Sequence, residues 1–246
     1  MKITNINPVP FHKMPYETSG PGGLVRKAEL PFLRAHAVDC EIGPLVITAD
    51  LQGRIRGQLL GVALAEELEV LVELGEIDPP AGIALAGDLY DHPELQKLGA
   101  SGDVAEVYEA MKRIAPVVGV LGNHDQLDQV LNDVSILDGD VTGWADLKVA
   151  GVGGIIGNPS RLNRRREEEF QVMVRRALTQ RPDLLLLHQG PPGNDCDQRG
   201  SLEILEAISS SRDLLIVCGH CHWNDPLSEN GRTQILNVDA RVVIIN

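Results

Sequence analysis

The chain has 246 residues, with 35 acidic against 22 basic side chains and a formal net charge of −13. At roughly 150 residues per domain this makes one large domain or two small ones, and 43% hydrophobic with 23% charged residues excludes a disordered or fibrous chain. The acidic balance argues against a long phosphate backbone as the default partner, because proteins that bind one ordinarily carry a basic face. Aromatics at 3% leave Leu, Val, Ile and Ala to fill the core.

In chain order, residues 1–35 hold Pro8, Pro10, Pro15, Pro21 and Pro31 with Gly20, Gly22 and Gly23, and show little periodicity. They read as an extended N-terminal arm or loop. No continuous apolar run follows the early Lys2, and nowhere is there an apolar stretch long enough to cross a bilayer, so the expectation is a cytoplasmic chain without a membrane span. Residues 36–246 read as one domain, with no internal repeat and no interdomain linker. Cys40, Cys196, Cys218 and Cys221, in a chain read as cytoplasmic, do not make a disulfide framework.

Short runs rich in Val, Ile and Leu predict strands over 45–49, 83–86, 117–121, 147–152, 184–187, 214–218, 234–238 and 242–245. Longer stretches of helical period predict helices over 55–74, 104–114, 167–179 and 202–209. That alternation is the α/β signature. The first helix sets Leu59, Val62, Leu64, Leu68, Leu71 and Val72 against Glu66, Glu69 and Glu73, as a helix packed on a sheet should. Ser101 and Asp103 offer N-caps for the second. Consecutive strands around Glu229-Asn230-Gly231 and Asp239 point to hairpins that add antiparallel strands, hence a mixed sheet system.

The polar residues of interest follow the apolar runs. Asp50 follows Leu-Val-Ile-Thr-Ala, Asp88 follows Ile-Ala-Leu-Ala-Gly, and Asn123, His124 and Asp125 follow Val-Val-Gly-Val-Leu-Gly. His188 follows four leucines, and His220 and His222 follow Leu-Leu-Ile-Val-Cys-Gly. Each sits at the carboxyl end of a predicted strand, the edge where open α/β sheets bind ligands. Carboxylates, an amide and imidazoles gathered in one crevice call for a cation, and the mixed donors suit Mn, Fe, Zn or Co.

In this order, Asp50-x-Gln52, Gly87-Asp88-x-x-Asp91, Gly122-Asn123-His124-Asp125, His188 and Gly219-His220-x-His222 resemble the calcineurin-like metallophosphoesterase superfamily. The resemblance spans residues 45–222. It implies a four-layer αββα sandwich of two mixed β-sheets flanked by helices, with two divalent transition-metal ions, manganese first and iron, zinc, cobalt or nickel as alternatives. Carried over by position, Asp88 bridges the ions; Asp50, Gln52 and His222 hold one, and Asn123, His188 and His220 hold the other. The resemblance places His124 beside the substrate as acid or hydrogen-bond donor, with Asp91 or Asp125 accepting its other N–H. The implied reaction is hydrolysis of a small phosphomonoester or phosphodiester by a metal-bridging hydroxide. No G-x-S-x-G competes with that reading.

One position departs from the family pattern. The first motif is Asp50-Leu51-Gln52 where Asp-x-His is usual, and a glutamine offers only a neutral carbonyl oxygen. The first site is then weaker, prefers a harder ion, or fills only with substrate. Two other readings stand beside the hydrolase: a nuclease of the same superfamily, which needs a basic groove, and an inactive scaffold with a degenerate metal site.

Other features read more plainly. Cys218-Gly219-His220-Cys221 mimics a redox pair, but Trp223-Asn224-Asp225-Pro226 forbids the helix that such a pair needs. Gly151 to Gly157 resembles a dinucleotide loop, but Ile156 stands where the third glycine belongs, so a tight crossover is expected. Arg164-Arg165-Arg166 before Glu167-Glu168-Glu169 reads as a solvated face. His12 and His36 read as ordinary histidines; His92 and Trp223 stand open between site and structure.

Overall fold

The computed structural model describes residues 1–38, 42–209 and 213–246; Cys40 lies outside the described residues. Strands Leu45–Ala49, Gly82–Leu85 and Arg241–Ile245 are buried at every position, which requires apolar cover on both faces of their sheet. That sheet runs in the order Val134–Ile136, Val117–Gly119, Gly82–Leu85, Leu45–Ala49, Arg241–Ile245, Val25–Val38 and His12–Ser19. The first four are parallel, and Arg241–Ile245 enters antiparallel to Leu45–Ala49. A second sheet runs Asp140–Trp144, Leu147–Val152, Leu184–Gln189, Leu215–Gly219, Thr233–Asn237 and Leu227–Asn230, parallel in its middle and antiparallel at both edges.

Three apolar clusters separate four layers. Leu60, Leu64, Leu68 and Leu71 of helix Leu60–Glu73, with Val107, Tyr108 and Met111 of helix Ala105–Met111, cover the outer face of the first sheet. Ile47, Ala84, Val118 and Val243 meet Val149, Leu186, Val217 and Leu236 between the sheets. Phe170 and Val174 of helix Glu167–Thr179, with Ile204 and Ile208 of helix Leu202–Ile208, cover the second sheet. The αββα sandwich and its mixed sheets match the expectation. Glu66, Glu69 and Glu73 face solvent, as the helical period requires.

Residues 1–35 correct the sequence reading of local structure. Lys2–Ile6 and His12–Ser19 both pair antiparallel with Val25–Val38, which itself pairs in parallel with Arg241–Ile245. Leu30, Phe32 and Ala35 are fully buried. The prolines that hid the strands sit where a missing N–H costs little. Pro15 lies on a strand whose far side pairs only through Glu17 and Arg54, and Pro31 precedes Phe32, where pairing with Val242 begins. The first helix is also shorter than its periodicity predicts, because Arg54–Ile55 and Gln58–Leu59 form a hairpin over Arg56 and Gly57, both at positive φ. The second ends at Met111, ahead of Pro116; its N-cap is Val104 and not Ser101 or Asp103 as expected, and Asp103 Oδ1 accepts from Ala105 N at 3.0 Å in an Asx turn just before the helix.

Candidate metal centre

The two sheets bring their strand ends to one cleft. The first contributes Asp50, directly after Leu45–Ala49, then Gln52, Asp88, Asn123 and His124; the second contributes His188, within Leu184–Gln189, and His220 after Gly219. Asp50, Asp88 and His220 hold left-handed backbone, φ 54°, 54° and 68°, a strained conformation that turns up at ligand sites. Two motif glycines make room for carboxylates: a Cβ on Gly122 would fall 2.0 Å from Asp88 Oδ1, and one on Gly219 would fall 2.1 Å from Asp50 Oδ2. Backbone amides fix the same oxygens, His124 N donating to Asp88 Oδ1 at 2.9 Å and His220 N to Asp50 Oδ2 at 2.8 Å.

One group of candidate ligands is assembled. Asp88, His188 and His220 each present a ligand atom within 4.8 Å of the others. His188 is fully buried, and its Nδ1 donates to Ala86 O at 2.8 Å, which fixes the tautomer and leaves Nε2 free as a donor atom. Asn123 Oδ1 and His188 Nε2 are buried without a hydrogen-bond partner, and such atoms are costly unless something partners them. Burial opposes charge on His188, but Asp88 raises its pKa to about 10, so in the absence of a cation Nε2 holds a proton that a metal ion would displace. Burial likewise opposes the Asp88 carboxylate, yet His188 and His124 hold it at about 2. His220 is shifted the other way, to about 4, by burial and by His188, so its imidazole stays neutral and able to ligate. A cation fits this donor set.

The other group is arranged differently. Burial, then Asp239, push the Asp50 pKa well above the ordinary carboxylate value. Gln52 Nε2 donates to Asp88 Oδ2 at 3.5 Å. The His222 side chain is 59% exposed and its Nδ1 lies 3.1 Å from Asp239 Oδ1, with Arg241 Nη2 3.4 Å from both ring nitrogens. Asp239 lines the cleft together with Tyr16, Thr18, Asp50, Gln52, Asp88, His124 and His220 around about 330 Å³, and His222 does not. Sequence reading treated Asp239 only as a hairpin residue, since no motif includes it.

His124 reaches the cleft with Gly99 against its ring, and Ser101 Oγ is 3.4 Å from its Nδ1. The expected partners of that ring are engaged elsewhere, which corrects the sequence reading. Asp91 accepts from Ser19 Oγ at 2.5 Å, Ser19 N at 3.1 Å, Thr18 Oγ1 at 3.2 Å and His92 N at 2.7 Å. Asp125 accepts from Asp88 N, Leu89 N and Gly122 N at 2.7–2.8 Å, tying the two loops that carry Asp88 and Asn123. Asn163 braces the same loop through Gly122 O and Asp125 O. Neither Asn163 nor the N-terminal contacts to Asp91 carried a sequence signal, because each acts across more than 35 residues of chain.

Several side readings resolve. Burial raises the pKa of both Cys218 and Cys221, the opposite of what a redox pair needs. Trp223 is buried in the core and donates to Arg199 O. His92 Nδ1 accepts from Glu94 N, and His12 faces Glu67 and packs on Phe32. Arg165 bonds Asp138 and Gly153 O. Among the described residues no helix is long and apolar enough to cross a membrane.

A family model described as calcineurin-like phosphoesterase matches residues 43–242. Among solved structures the chain is similar to TT1561 of Thermus thermophilus, at 20% identity and a TM-score of 0.56, covering 81% of this chain and 90% of that one. It also matches GAP50, the anchor in the inner membrane complex of Plasmodium, at 10% identity and a TM-score of 0.46, over 80% of this chain and 71% of that one. No curated protein matches.

Proposed function

The chain belongs to the calcineurin-like phosphoesterase family, and from that premise we propose that it hydrolyses a small phosphoester at a centre of two divalent transition-metal ions. The observation that supports this most is the convergence of Asp88, His188 and His220, together with an Asn123 Oδ1 that is buried and unpartnered. In this reading Asp88, Asn123, His188 and His220 hold one ion, and Asp50 and Gln52 face the second with Asp88 shared. When bound, such ions acidify water and offset phosphoryl charge. The protein's own residues do the rest. His124 Nε2 donates to the leaving oxygen, Ser101 steadies the ring through Nδ1, and Tyr16 and Thr18 form the wall against which the substrate lies.

Among the described residues that line the cleft there is no lysine or arginine. A phosphomonoester carries close to two negative charges at neutral pH, a diester one, so the acidic cleft favours a diester. The partner we propose is a small phosphorylated molecule, and manganese is the first ion to test because most of the donors are oxygens.

The test combines elemental analysis of protein purified without chelator with hydrolysis of chromogenic mono- and diesters under Mn, Fe, Zn, Co and Mg. About two ions per chain and faster turnover of the diester are expected. Silence toward both esters with every ion overturns the hydrolase reading and leaves a scaffold. Hydrolysis of single-stranded oligonucleotides in preference to small diesters favours a nuclease instead.

A further inference from the structure

The second half of the metal centre lacks the usual imidazole at position 52, and a carboxylate outside every motif stands beside the gap. Asp239 lies where the chain leaves the second sheet for the first, after Thr233–Asn237 and before Arg241–Ile245. There it bridges to Ala49, the residue before Asp50, and Ala240 N donates to Ala49 O at 3.1 Å. This backbone tie seats Asp239 next to Asp50. Its side chain is only 13% exposed and lines the same cleft as Asp50, Gln52 and Asp88.

Three carboxylates then share a cleft whose described lining has no lysine or arginine. Arg241, outside that lining, donates to Asp239 O and Trp223 O and lies 3.4 Å from both His222 ring nitrogens. The same region also contains the unpartnered Asn123 Oδ1 and His188 Nε2, both buried, the latter 3.5 Å from Asp88 Oδ2. Repulsion among the carboxylates and the unpartnered lone pairs of the same region are met together by cations.

We propose that Asp239 is a metal ligand in this chain: with Asp50, the shared Asp88 and the Gln52 amide oxygen, once that amide turns from its Nε2 contact with Asp88 Oδ2, it makes an oxygen-rich second site for a hard divalent cation such as Mn²⁺. His222, whose ring lies outside the cleft lining, is then the hydrogen-bond partner that orients Asp239 through Oδ1, the reverse of the usual order in which a carboxylate orients a ligating imidazole. The donor chemistry follows, since carboxylate and amide oxygens select harder ions than the imidazoles of the first half do. This inference rests on the two-ion reading above.

The experiment titrates chelator-stripped protein with MnCl₂ by calorimetry and counts bound manganese after gel filtration, in wild type, Asp239→Asn and His222→Ala. Asparagine keeps an oxygen for His222 and removes the charge, and thermal melts confirm that each variant folds. Two ions are expected in wild type. Asp239→Asn is expected to weaken the second ion at least tenfold and leave the first unchanged, with His222→Ala having the smaller effect. Two unperturbed ions in Asp239→Asn overturn the assignment while the two-ion reading stands. A larger loss in His222→Ala than in Asp239→Asn makes the imidazole the ligand and overturns it as well. A single ion in wild type overturns the two-ion reading, and this inference with it.

Discussion

The two halves of the centre start from the same strand ends and differ in how they are finished. Around His188 the donors are buried, the ring is oriented by Ala86 O, and Asn123 Oδ1 and His188 Nε2 have no hydrogen-bond partner. Around Asp50 the donors are partly exposed, Gln52 replaces an imidazole, and His222 is turned toward Asp239 and Arg241. On the two-ion reading proposed above, the preorganised half binds without rearrangement, whereas the other half must settle its side chains as an ion arrives. The first is therefore expected to hold its ion more tightly and to prefer softer metals than the second.

The most disruptive way to test that contrast is His188→Ala, which removes a lone pair from the preorganised half. Metal affinity there is expected to fall by more than the roughly 10–100-fold that loss of an outer hydrogen-bond partner costs, and calorimetry on stripped protein measures it. An affinity within tenfold of wild type contradicts the contrast. His124→Ala comes next, with both halves expected to keep their ions while turnover of a chromogenic diester drops by about 10²–10⁴; loss of metal along with rate would make His124 a ligand.

Gln52→His returns an imidazole to the exposed half. The expected result is a gain of about tenfold in affinity for Zn²⁺ at the weaker site, at the lower end of the roughly 10–100-fold span that support around a metal commands, with the tighter site unmoved. A gain at the tighter site instead would mean that the halves are not separable. The smallest effect is expected from Ser101→Ala, which loosens a 3.4 Å contact to the His124 ring. It is expected to slow turnover by a few-fold at unchanged metal content, about the 0.5–1.5 kcal/mol of one ordinary hydrogen bond.

Much of the sandwich was legible because local pattern and tertiary demand agree. Leu45–Ala49, Gly82–Leu85 and the four leucines that open Leu184–Gln189 are largely apolar runs buried on both faces, and a strand covered on both sides has to look that way in sequence. The strands of residues 1–35 were hidden for the converse reason. Pro15 and Pro31 are breakers in isolation and acceptable only where the neighbouring strand does not need their N–H.

The same division runs through the site. The strand-end positions of Asp50, Asp88, Asn123, His188 and His220 were determined by sequence, since each follows an apolar run whose carboxyl end must open toward the ligand edge. Only the tertiary structure decided that Asp91 and Asp125 brace Ser19 and the Asp88 amide and leave the His124 ring to Ser101. It also decided that Asp239, 189 residues after Asp50 in the chain, lies beside it while His222 turns outward. Periodicity reports which face of an element is covered, but which side chains meet across two sheets depends on register and on the crossover between them, and neither is written in any local run of residues.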